Sequence, residues 1–309
     1  MIRIATLSLS LLLAAPITVL AQTKNGFDLS ESLIPVDEIV SGGPPRDGIP
    51  ALTDPRFVSV DEAGWMRPGD RLMALERNGV AKAYPLRILV WHEIANDEIG
   101  GEPVAVTYCP LCATGMAFDP MVDGRRLVFG VSGLLYKSDV LMYDRRTESL
   151  WSQIRREAVT GPMRGTDLEL IPLVHTTWER WKEEHPDGLV LSRDTGYERN
   201  YDRNPYLRYE TSPSTMFSAG ERDDRLAQKA LVLGITEGEA AVAFPLEELE
   251  KRRRPIRTRV GDRELFVYWF PGNRTAFATD LGGEKVPATL AYWFAWSGFH
   301  PDTEVWRSE

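Results

Sequence analysis

Short apolar runs separated by turn residues dominate the chain, and long stretches of helical spacing are absent. Arg71-Leu72-Met73-Ala74-Leu75, then Asn78-Gly79, then Val80-Ala81-Lys82-Ala83-Tyr84 predicts a hairpin, because Asn-Gly favours the primed turn that matches strand twist. Further strands are expected at 104–108, 127–131 and 140–143. Two short helices are expected, one near Pro85–Val90 and one at Thr177–Glu184, where Trp178 and Trp181 lie one turn apart. The pattern predicts a predominantly β protein of the α+β kind, with short helices.

The pattern is also written twice. Ala83-Tyr84-Pro85-Leu86 with Leu89 is answered by Ala243-Phe244-Pro245-Leu246 with Leu249. Each stretch closes on one signature, Trp178-x-x-Trp181-x-x-x-His185-Pro186-Asp187 and Trp293-x-x-Trp296-x-x-x-His300-Pro301-Asp302. Such self-similarity implies an internal duplication, two related β-rich units on a shared core. The scaffold is what the copies share, so chemistry is sought where they differ. Counted from the shared proline, His92 falls opposite Arg252, Cys109 opposite Trp269 and Cys112 opposite Gly272; after one gap Met116 falls opposite Thr275. Between Phe118 and Trp178 lie 59 residues, against 15 between Phe277 and Trp293, so the first copy carries an insertion.

Five segments follow from this reading. Residues 1–21, with Arg3, an apolar stretch and Val19-Leu20-Ala21, are expected to be a signal peptide cleaved near Ala21, which would make the protein periplasmic or secreted. Residues 22–45 read as a leader or linker, 46–191 as the first unit with its insertion, 192–224 as a crossing segment and 225–309 as a second, degenerate unit. No run after the signal is long enough for a stable membrane span. A net charge of -9 gives a nucleic-acid partner no electrostatic support. The basic run Lys251-Arg252-Arg253-Arg254 follows Glu247, Glu248 and Glu250, an arrangement that complements the dipole of a short helix begun by Pro245.

Cys109 and Cys112 are the only cysteines, and they sit just after a strand. Three readings are open. As a structural disulfide in a non-enzymatic binding module, the pair would close so short a loop that the chain-entropy gain is only about 2 kcal/mol. As a thiol–disulfide oxidoreductase acting on an exported redox partner, Cys109 would attack, but Ala113 to Pro120 lacks the helical period that would lower its pKa. As a metal site for redox chemistry or metal handling, with a small molecule as its partner, Cys109, Cys112 and His92 form a soft set to which Met116 adds a thioether. Those donors favour copper ahead of zinc. Glu93, Asn96, Asp97, Ser132, Asp139 and Trp151 are pocket or supporting candidates. His92-Glu93 lacks the His-x-Glu spacing of zinc deaminases, and Gly130-Val131-Ser132-Gly133-Leu134 lacks the last glycine of a nucleophile elbow.

The runs Ala83–Leu89, Trp91-His92-Glu93-Ile94, Tyr108–Cys112, Phe129–Leu135, Ser149-Leu150-Trp151-Ser152-Gln153 and Asp194-Thr195-Gly196-Tyr197 together resemble the bacterial family known as domain of unknown function 3179. The resemblance covers most of the chain. It implies shared motif positions and no assigned activity.

Overall fold

The Asn78-Gly79 turn forms as expected: both residues take positive φ, 49° and 74°, and Arg77 pairs with Val80 across it. The structure is a computed structural model that describes residues 22–272 and 274–308; the expected signal peptide lies outside the described residues. Strands Arg71–Arg77 and Val80–Pro85 lead into a one-turn helix, Leu86–Leu89, whose preceding Pro85 has the fixed φ that suits a helix start. The strands expected at 104–108, 127–131 and 140–143 appear as Glu102–Cys109, Phe129–Tyr136 and Asp139–Asp144, and the tryptophan helix as Trp178–Glu184.

The same order recurs later. Leu231–Glu237 and Ala240–Pro245 form a hairpin followed by the helix Leu246–Leu249. Each hairpin takes an antiparallel neighbour on one side, Val174–Thr177 or Thr289–Tyr292, and a parallel one on the other, Leu189–Leu191 or Glu304–Val305. The stretches are not side by side, however. Gly115 pairs with Leu290, so the strands Ile94–Ile99, Glu102–Cys109 and Thr114–Asp119 join the later hairpin in one nine-stranded sheet. Packing of this sheet against that of the first hairpin needs Gly115, where a Cβ would stand 2.1 Å from Met73 Sδ.

Strand register moves the comparison of the two stretches by one residue. Strand Arg263–Phe270 has the length of Glu102–Cys109, and the pairs Cys109–Thr114 and Phe270–Thr275 close the two hairpins alike. Gly100 and Gly261, with φ 58° and 53°, occupy matching turns. Cys109 therefore stands opposite Phe270 rather than Trp269, and Met116 opposite Phe277 rather than Thr275. An ungapped count from the proline misses the extra residue ahead of the second turn.

The segment 22–45 is built into the core, contrary to the leader reading. Ile39–Ser41 pairs with Leu134–Tyr136, and Phe27, Leu29, Ile34 and Ile39 are buried against Leu141, Tyr143 and Leu150. With this strand the insertion forms a five-stranded sheet that covers one face of Glu102–Cys109 and Thr114–Asp119. Asn96 joins the two layers: its amide donates to the Leu52 and Phe129 carbonyls and its oxygen accepts from the Phe129 N–H.

Candidate metal centre

Two hairpin turns meet tip to tip. One is Pro110–Ala113, closed by the Cys109–Thr114 pair, with Ala113 at φ 54°; the other is Lys137-Ser138, at φ 50° and 67°, which closes the insertion hairpin. Positive φ at both Lys137 and Ser138 is what a two-residue hairpin turn matched to strand twist requires. The Cys112 thiol donates to the Ser138 carbonyl at 3.1 Å, and the Cys109 thiol points to the same oxygen at 3.9 Å. Asp139 follows directly. One carboxylate oxygen of Asp139 lies with both sulfurs in a group whose ligand atoms are all within 4.8 Å of one another. Both cysteines are free thiols, and all three residues are fully buried.

Water exclusion sets the electrostatics. Burial pushes the Cys112 thiol well above its ordinary value and the Asp139 carboxyl up to about 7, even though the Ile154 N–H donates to Oδ2 of Asp139. Glu93, buried and at φ 58°, is pushed up to about 8 by desolvation and then by the charge of Asp139. Among the described residues three buried acceptor atoms on the insertion have no hydrogen bond of ordinary geometry, Asp139 Oδ1, Ser152 Oγ and Gln153 Oε1, although the two nearby thiols hold the Asp139 pKa down against burial. Native interiors leave few such atoms. The Gln153 amide is held by Thr107 Oγ1 at 2.8 Å, on the cysteine strand.

His92 is not part of this group. Its Nδ1 lies 2.7 Å from the Pro50 carbonyl, which only accepts, so Nδ1 carries the proton and Nε2 accepts from the Tyr201 hydroxyl at 2.7 Å. The Tyr201 oxygen then accepts from Thr195 Oγ at 2.5 Å. Burial holds this imidazole neutral, with a pKa lowered to about 4. Both ring nitrogens are thus committed, Nδ1 to the backbone at Pro50 and Nε2 to Tyr201 of the crossing segment, a partner set that sequence spacing gave no means to foresee.

The remaining candidates divide. Met116 is buried on the cysteine face, opposite Thr107, and Trp151 packs in the same core, edge-on to Phe129, with its N–H donating to Asp144. Asp97 is elsewhere, held by Lys82 at 2.9 Å and the Tyr84 hydroxyl at 2.6 Å. Ser132 serves a strand irregularity, donating to the Leu141 carbonyl and accepting from the Leu134 N–H. Sequence reasoning missed the Ser138 carbonyl and Tyr209, whose hydroxyl donates to the Leu111 carbonyl at 2.8 Å and seals the turn. The signal available was the pair Ser138-Asp139 in the insertion and the Trp-Ser-Gln run.

Among curated proteins and solved structures, none matches the chain. A family profile described as protein of unknown function (DUF3179) matches residues 46–284, the range that holds both turns, the insertion and the crossing segment. The chain belongs to that family.

Proposed function

We propose that the protein binds a divalent transition-metal ion through Cys109, Cys112 and Asp139. The carrying observation is the convergence of two free thiols and a carboxylate oxygen in one fully buried cluster. Two thiols cannot both ionise there, beside a carboxylate and against a carbonyl oxygen, unless a cation takes the place of their protons. A set of two sulfurs and one oxygen is harder than the sulfur, imidazole and thioether set expected from the sequence. This moves the preference from copper to zinc. Three protein ligands leave a fourth position open, which suits catalysis or metal transfer better than a closed structural site.

One observation favours a second reading. A buried carboxyl near pKa 7 beside a dithiol is suited to accept a proton during thiol–disulfide exchange. Full burial of both sulfurs opposes it, because a partner disulfide must reach the attacking thiolate. The plain-clasp reading has least support, since the cysteines are free.

Metal analysis of protein purified without chelator, with a thiol count before and after chelation, tests the proposal. It requires metal in stoichiometric amount and two thiols that become reactive only when the metal is removed. A metal-free protein that refuses added zinc and copper, with a dithiol that equilibrates with glutathione, overturns it in favour of exchange chemistry.

A further inference from the structure

The basic run after residue 250 has lost its simple explanation. The preceding helix is only Leu246–Leu249, too short to present a substantial dipole, and Lys251 to Arg254 lie beyond its end, exposed. Between residues 251 and 263 the chain places seven Lys and Arg against one acid, Asp262, in a protein whose net charge is -9. Lys251 pairs with Glu248, Arg257 and Arg259 share Glu264, and Arg263 reaches Glu237. Arg253 and Arg254 have no ion pair among the described residues.

Register places these cations beside aromatic rings. Arg257 is directly opposite Phe266 and Tyr268 directly opposite Phe277, so these side chains share one face of the sheet. All three rings are half-buried. Glu250, at the start of the basic loop, accepts from the Gly272 N–H at the tip of the next hairpin, which brings the loop to the Tyr268 end of the strand.

We propose that this corner is a peripheral contact for a lipid bilayer bearing anionic headgroups. The cations supply the first attraction and the ring edges enter the headgroup layer. Ring geometry argues against a nucleic acid: Tyr268 and Phe277 stack on each other at 5.1 Å and 9°, and the Arg180 guanidinium lies 3.2 Å from the Phe270 ring centroid, so these faces are not free to receive a base. A second copy meeting the patch by two-fold symmetry would set arginines against arginines. The inference is independent of the metal proposal.

Co-sedimentation of the protein as purified with phosphatidylglycerol–phosphatidylcholine vesicles, and with pure phosphatidylcholine vesicles, tests it. Binding is expected only to the anionic vesicles and is expected to fall steeply with added salt. The doubly exposed variant R253E/R254E should bind at least about tenfold more weakly, and Phe266→Ala should weaken binding while its salt dependence persists. Absence of binding at low salt, equal binding to neutral vesicles, binding to heparin but not to vesicles, or full binding by R253E/R254E would each overturn the proposal.

Discussion

Two hairpins of matching register treat the same face in opposite ways. On Glu102–Cys109 and Thr114–Asp119 that face carries Ala105, Thr107, Cys109, Met116 and Phe118, all buried under the insertion sheet. On Arg263–Phe270 and Thr275–Thr279 it carries Phe266, Tyr268, Phe270 and Phe277, half-buried and without an insertion above them. Apart from Phe118, the residues on the first face are small or sulfur-bearing and let a covering sheet pack on them. Large rings cover themselves by stacking on one another. Electrostatics follow the cover: beside the insertion, burial raises two carboxyls and a thiol together.

The sharpest way to break this comparison is to remove the sulfurs. Changing Cys109 and Cys112 together to Ser should abolish bound metal, whereas Phe270→Ala, at the matching position of the other hairpin, should leave metal content unchanged. Elemental analysis of both proteins decides it. Equal metal in the two would show that the hairpin face does not hold the ion.

Cover can be tested by stability. Trp151 is fully buried in the insertion against the cysteine face, and truncation to Ala should cost about 3–5 kcal/mol. Phe277→Ala, on the open face, removes a ring that is only half-buried and should cost roughly 1 kcal/mol or a little more. Urea unfolding of the two variants should keep that order. A reversal would mean that the open face is the better packed of the two.

Burial of Glu93 also predicts a pH signature. Glu93 has a folded-state pKa of about 8 against 4.5 when unfolded, so the folded protein holds a proton that the unfolded chain releases between those values. Its contribution is fully present below about 4.5 and is lost as pH rises through about 8. Metal-free Glu93→Gln, which cannot ionise, should match the wild type in acid and exceed it by up to about 5 kcal/mol at alkaline pH. A difference that does not change with pH would show that Glu93 is solvated.

Much of this frame was legible in the chain. The Asn-Gly turn, the paired proline-led helices and the two tryptophan signatures are local patterns, and local patterns carry their own geometry. The cysteine turn was legible for the same reason. Asp139 was named only as a supporting residue, because its approach to Cys109 depends on two turns far apart in sequence meeting tip to tip. His92 misled for the opposite reason: it is near the cysteines in sequence, yet its ring turns to Pro50 and Tyr201. Residues 22–45 look polar on average but place four apolar side chains where the insertion sheet needs them.

The smallest effect separates packing from ligation at one register position. Met116 faces Thr107 as Phe277 faces Tyr268, so each fills the second row of its hairpin face. Met116→Leu preserves volume and apolarity and removes only the sulfur, a change that cores accept for less than about 1.5 kcal/mol. If Met116 serves as the covered counterpart of Phe277, the variant keeps its full metal content and the same preference between zinc and copper, measured by competition. A selective loss of copper affinity would instead place the thioether among the ligands. The sulfur content of that row, rather than its cover, would then be what distinguishes the two hairpins.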